Sequence, residues 1–208
     1  MVIIIGAFLA PVGCFSAAIE FTTAPVSHDS QLSLGFVFTT NQAVSVTSLG
    51  YYDENQDGFL TDHEVGIFDA GGNLLVSIVL GAGSGASLVG HYRYSAIDGI
   101  TLAANNTFLL AATTFGSLDG WAYGHQDTSI TGFVVDPAIS ISSDASRFVY
   151  QSDNILRAPG QMGGYTIYGG PNFNGLEVDE VPEPTSTALA AIGIAGLLVL
   201  SRRRIDLN

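Results

Sequence analysis

The chain has 208 residues, 19 of them acidic, with six arginines, no lysine and a formal net charge of −13. A surface of that sign repels phosphate backbones, which argues against nucleic acid as a partner; it favours solubility and attracts cations. The only cysteine, Cys14, lies in the first segment, so the body of the chain has neither a disulfide nor a thiolate metal site.

Met1 to Ala18 reads as a secretory signal peptide. The apolar run Val2 to Ala10 is followed by Pro11, and Ser16 and Ala18 supply the small residues that a signal peptidase reads. The usual basic start is missing, since the first arginine is Arg93, and this suggests a true start upstream of Met1. Cys14 invites a lipoprotein reading, but Pro11 stands where a lipobox wants leucine. The competing structural reading is a buried first strand over the opening residues.

From Ile19 to Asp179 the pattern predicts strands. Leu32–Thr39, Ala43–Leu49, Glu64–Phe68, Leu74–Leu80, Gly90–Tyr94, Thr107–Thr113, Ile130–Val135 and Tyr165–Tyr168 are short and rich in β-branched and aromatic residues. Leu34, Phe36 and Phe38 alternate onto one face, and Val44, Val46 and Leu49 nearly repeat it. Turn residues punctuate the runs at Asn41-Gln42, at Asp69 to Asn73 and at Ala104 to Asn106. The expected architecture is all-β, an antiparallel β-sandwich with jelly-roll or Greek-key connections. No internal repeat interrupts it, and the acidic, proline-containing run Glu177 to Pro184 reads as a stalk.

One loop carries a metal-ligand spacing. Laid on a calcium loop of the EF-hand kind, Asp53, Asn55 and Asp57 give side-chain oxygens at the first, third and fifth positions. Gly58 gives the turn, Phe59 a backbone carbonyl and Glu64 the final carboxylate. Calcium needs six to eight hard oxygens converging on one point, so the spacing predicts calcium as a structural cofactor. The flanking segments read as strands, not as the paired helices of an EF-hand. The competing reading is a polar hairpin loop whose Asp, Asn and Gly only make turns.

The remaining chemistry is sparse. His28, His63, His91 and His125 show no paired spacing and read as surface residues, with His63 beside Asp62. No G-x-S-x-G elbow occurs; Gly81 to Gly85 misplaces the serine and lacks the ending of a phosphate cradle. Paired carboxylates for glycoside hydrolysis carry no specificity among so many acids. Trp121, Tyr123, Tyr92, Tyr94, Tyr165, Tyr168 and Phe173 could form a sugar-stacking platform, although most read as core.

The C-terminus is the most specific segment. Val181-Pro182-Glu183-Pro184 precedes an uncharged run of 17 residues, Thr185 to Ser201, followed at once by Arg202-Arg203-Arg204. As a helix the run is about 25 Å long against a hydrocarbon core of about 30 Å, so it can just cross a membrane. The arginines would snorkel to the cytoplasmic side, leaving the body outside. Ala188 to Leu200 has no polar face, which disfavours an ordinary core helix.

These three parts in order resemble the PEP-CTERM sorting signal, a tail also catalogued as the C-terminal domain of ice-binding proteins. The resemblance implies recognition by an exosortase, a membrane enzyme, and release to or display on a bacterial envelope. The body is similar to an uncharacterised β-sandwich domain common in such proteins. Leu49, Gly50, Tyr51, Asp53, Asp57, Gly58, His63, Val65, Gly66, Phe68 and Asp69 carry that likeness. It implies a sandwich and no known activity.

The expected organisation is a signal peptide at 1–18, a β-sandwich at 19–179 and a sorting tail at 180–208 with a transmembrane helix at 185–201. The expected function is that of an exported, exosortase-sorted surface or extracellular-matrix protein with a structural or adhesive role. It is not expected to be an enzyme. The alternatives are a carbohydrate-binding module for extracellular polysaccharide and, third, a glycoside hydrolase.

Overall fold

The computed structural model describes residues 17–175, apart from 30, 115, 117, 118 and 127. The signal peptide up to residue 16, the sorting tail and its helix lie outside the described residues. The described residues all belong to one compact unit. Among the described residues every regular element is a strand, and no helix is long and apolar enough to cross a membrane.

The strands are β1 (Ile19–Glu20), β2 (Val26–Ser27), β3 (Leu32–Thr40), β4 (Val44–Tyr52), β5 (His63–Asp69), β6 (Leu74–Leu80), β7 (Ser87–Val89) and β8 (Tyr92–Leu102). They continue as β9 (Thr107–Thr113), β10 (Trp121–Gly124), β11 (Val134–Val135), β12 (Ile139–Ser140), β13 (Ser146–Tyr150), β14 (Gln161–Met162), β15 (Ile167–Gly169) and β16 (Pro171–Asn174). All pairings are antiparallel. The larger sheet runs β14-β13-β3-β9-β5-β6, with β12 also on β3. A four-stranded sheet, β16-β4-β8-β7, packs against it. Smaller sheets, β15-β10-β2 and β1-β11, complete the fold.

Period-two alternation builds the core between the two main sheets. Leu34, Phe36 and Phe38 of β3 are buried, as are Val65 and Ile67 of β5 and Leu110 of β9. Facing them are Val44, Val46, Leu49 and Tyr51 of β4 with Phe173 of β16. The imperfect alternation of β4 has a structural cause. Its register with β8 shifts between Val46 and Ser48, and this irregularity returns Leu49 and Tyr51 to the face of Val44 and Val46.

The expected Leu74–Leu80 and Thr107–Thr113 coincide with β6 and β9, whereas Ile130–Val135 shrinks to the two residues of β11. The strands β13 and β16 were not foreseen. β13 is flanked by Ser and Asp, and β16 opens on Pro171, tolerated as the first residue of a strand. Ala17 and Ala18, placed in the signal peptide by sequence, belong to the packed domain. Both are buried, Ala17 bridges Asn174, and the Ala18 amide donates to the Phe173 carbonyl at 2.9 Å.

Candidate functional site

The loop between β4 and β5 gathers most of the candidate residues. Asp53 follows β4 directly and is buried (4% exposed). Its Oδ2 accepts from the Gly58 amide at 3.0 Å and from Arg93 Nε at 2.5 Å. Gly58 makes this turn at φ +107°, a backbone conformation that a side chain would strain. Arg93 comes from β8, opposite Tyr51. Its Nη2 donates to the Gln56 carbonyl at 3.0 Å, and its Nη1 donates to the carbonyls of Ser84 and Ala86 at 3.2 and 3.0 Å. One guanidinium thus ties the start of the loop, its middle and the Gly81–Gly85 stretch together. Phe59 and Gly83 exchange two backbone hydrogen bonds across the same junction, at 3.1 and 2.7 Å.

A cavity of about 320 Å³ opens over this loop, lined by Asp53, Asn55, Asp57 and Phe59 together with Glu54 and Asp119. Glu64 is not among its walls. It follows His63 on β5, so alternation turns it to the opposite face of the sheet. There Oε1 accepts from Ser77 Oγ at 2.9 Å and Oε2 from the Leu156 amide at 3.3 Å. The structure therefore brings four of the five expected calcium ligands to one cavity and sends the fifth elsewhere. Among the described residues no three His, Asp or Glu side chains gather as a metal-binding group.

His63 is fully buried rather than at the surface. Its partner is Asp119, not Asp62, whose Oδ1 accepts from the Ala82 amide at 2.7 Å. His63 Nδ1 faces the Thr113 carbonyl at 2.9 Å and Nε2 faces Asp119 Oδ2 at 3.0 Å. Both partners are acceptors, so the arrangement is fully bonded when each ring nitrogen carries hydrogen. The Tyr51 ring stacks on the imidazole with centroids 3.8 Å apart and planes 5° apart. Asp119 also accepts from the Leu60 and Thr61 amides and from Thr61 Oγ, at 2.8 to 3.1 Å. Burial works to raise the Asp119 carboxyl. The hydrogen bonds from His63, Leu60 and Thr61 outweigh it and hold the group below its ordinary 3.8. Burial, with the Asp119 charge beside it, pushes the Tyr51 hydroxyl far above its usual range.

Sequence reasoning missed Arg93 and Asp119. Asp119 lies 56 residues from His63 and Arg93 lies 40 from Asp53, so no local spacing announces either pair. Chemically, both pairs are clips. Arg93 is held on Asp53 and His63 on Asp119, so each pair joins segments distant in sequence beside the cavity.

The other candidate segment is the C-terminal tail. Residues 180–204 match the PEP-CTERM protein-sorting motif. The tail is an exosortase sorting signal. The matched residues include Val181, Pro182, Glu183, Pro184 and Arg202, Arg203, Arg204. The PEP-CTERM motif marks the chain for export, processing by an exosortase-type enzyme and sorting to the cell envelope or surface. Among curated proteins none is similar to this chain. The described residues, 17–175, are the β-rich domain described above.

Proposed function

We propose that the exported chain is a non-enzymatic structural module of the cell surface or extracellular matrix. Its tail would hold it in the inner membrane through residues 185–201 until exosortase acts. The observation that carries this reading is the sorting motif at residues 180–204. It is supported by a β domain whose most buried ionisable side chains already bond to one another, Asp53 to Arg93 and His63 to Asp119. Expression in a host with and without an exosortase tests the sorting. The tail is lost only where the enzyme is present; equal retention in both hosts overturns the reading.

Arg93, rather than calcium, closes the Asp53 loop in this reading. The guanidinium already satisfies Asp53 and the Gln56 carbonyl, and Glu64 is engaged on the other face of the sheet. The thermal midpoint should be the same in EDTA and in millimolar calcium. A ligand that binds only the folded state at a hundredfold excess over its Kd adds about 2.7 kcal/mol, worth several degrees. A rise of that size would restore calcium as the loop's cofactor.

A second reading, a carbohydrate-binding module, is favoured by aromatic exposure. Trp121 is buried and donates Nε1–H to the Asp29 carbonyl at 3.2 Å. Around it Tyr123, Tyr165 and Phe148 are half-buried, and Tyr150 is 71% exposed. Tyr123 and Tyr165 lie 5.1 Å apart, and Phe148 and Tyr150 lie 5.5 Å apart. Such rings offer an apolar face with a polar rim, which suits sugars. Co-sedimentation with insoluble polysaccharide that weakens in Tyr150→Ala would favour this module; no retention on any glycan would remove it.

A further inference from the structure

The outer side of β6 has no strand partner among the described residues. Native sheets guard such edges with charge, proline, bulges or short length, because unpaired backbone groups are a template for another chain. β6 has seven residues, none charged and none proline. Its one irregularity lies towards the Leu74 end, where the register with β5 shifts. In this acidic chain no Asp, Glu, Lys or Arg occurs between Asp69 and Arg93. Leu74, Leu75 and Val79 are 48%, 44% and 57% exposed. Exposed Val89 of β7 lies on the same flank, because β8 packs over β6 and β7 follows β8 at the edge of its sheet.

The strand is also complementary to itself. Turned about a two-fold axis at Ser77, the strand sets Val76 against Ile78 and Leu75 against Val79, while Leu74 lies beyond the register shift and outside this regular pairing. Val76 and Ile78 pair with Ile67 and Val65 of β5 and so share the core face. Leu75, Ser77 and Val79 share the outer one. Opposed residues in an antiparallel pair share a face, so this register extends the core face across the seam and sets aliphatic residues together outside. Glu64, the nearest carboxylate on β5, is already bonded to Ser77 Oγ.

We propose that β6 pairs antiparallel with β6 of a second copy of this chain, joining two larger sheets into one across an isologous interface. Charge singles out the partner's approach. Two strongly acidic copies repel over most of their surfaces, and the uncharged flank is where they can meet. Raising the salt screens that repulsion, so it strengthens the dimer.

The test uses residues 17–175, which contain the whole core described above and no cysteine. Sedimentation should show a monomer–dimer equilibrium that shifts towards dimer with salt. Val79→Lys, an edge-guarding change at an exposed site, should weaken it about tenfold or more at unchanged thermal midpoint. Oxidised Ser77→Cys should give a disulfide-linked dimer, since opposed Cα atoms fall within disulfide range. A monomer at every concentration with no cross-link overturns the proposal. So does cross-linking through Val89→Cys but not Ser77→Cys, which would move the seam to β7. Dimerisation of residues 17–175 alone, with the longer chain monomeric, would assign the edge to the chain's own ends and also overturn it.

Discussion

Two charged residues distant in sequence decide how the loop after β4 is held. Removing one partner of a buried ion pair leaves an uncompensated charge and costs about 3–5 kcal/mol. Arg93→Gln, which strands Asp53 and frees the carbonyls of Gln56, Ser84 and Ala86, should therefore lower the thermal midpoint by about 10 °C. Differential scanning calorimetry would measure it, and a change of only a degree or two would demote the clamp to a surface contact. Asp119 makes a prediction about acid. Its folded carboxyl is held below the ordinary value, so it binds a proton less readily in the native state than in the unfolded chain. The stability it contributes is full above the unfolded value near 4 and fades as pH falls through the folded one. Asp119→Asn should flatten the acid side of the stability curve below about pH 4. An unchanged slope in urea melts taken down that range would remove Asp119 from the account.

At the scale of strands, legibility followed burial on one face. β3, β6 and β9 were readable because their apolar residues alternate or run without a break. β4 was readable only in part, because the irregularity at Val46/Ser48 breaks the period that sequence patterns rely on. The two-residue strands β1, β2, β11, β12 and β14 carry no period at all, and their pairing is decided by what lies opposite them. The calcium spacing failed to predict the position of Glu64 for a related reason. A helix following the loop would carry that residue back to the ligand centre, whereas a strand sends neighbours to opposite faces, and His63 took the inward one. Close packing between strands makes its own prediction. A Cβ at Gly35 would stand 1.9 Å from the Leu110 carbonyl oxygen, a backbone atom that no rotamer change can move. Gly35→Ala should cost about 3 kcal/mol or more, seen as loss of soluble protein or a large drop in midpoint. Wild-type stability in that variant would mean that β3 and β9 can separate locally.

For the whole molecule, the tail was the part that sequence specified best, because a sorting signal is read in order along the chain and needs no fold to be recognised. The body is the reverse. Its class was evident from strand spacing, while its charge pairs became evident only when β8 and the segment before β10 were brought against the Asp53 loop. The two parts therefore answer to different tests, host processing for the tail and thermal or acid unfolding for the domain.

The meeting of the domain's first and last strands bears on timing. Asn172, on the closing strand β16, donates to the Ile19 carbonyl at 2.8 Å and accepts from the Ile19 amide at 3.3 Å, across 153 residues. A chain that emerges from the ribosome or through a membrane with its N-terminal end first leaves β1 and one edge of β4 waiting for that strand. At about 5–20 residues per second the wait is about 8 to 30 s. The last strand to arrive is followed at once by the sorting segment, so the domain becomes closable just as its address comes due. A chain stalled short of β16 would thus be neither closed nor addressed, and quality control of the fold and of its delivery would fall on the same event.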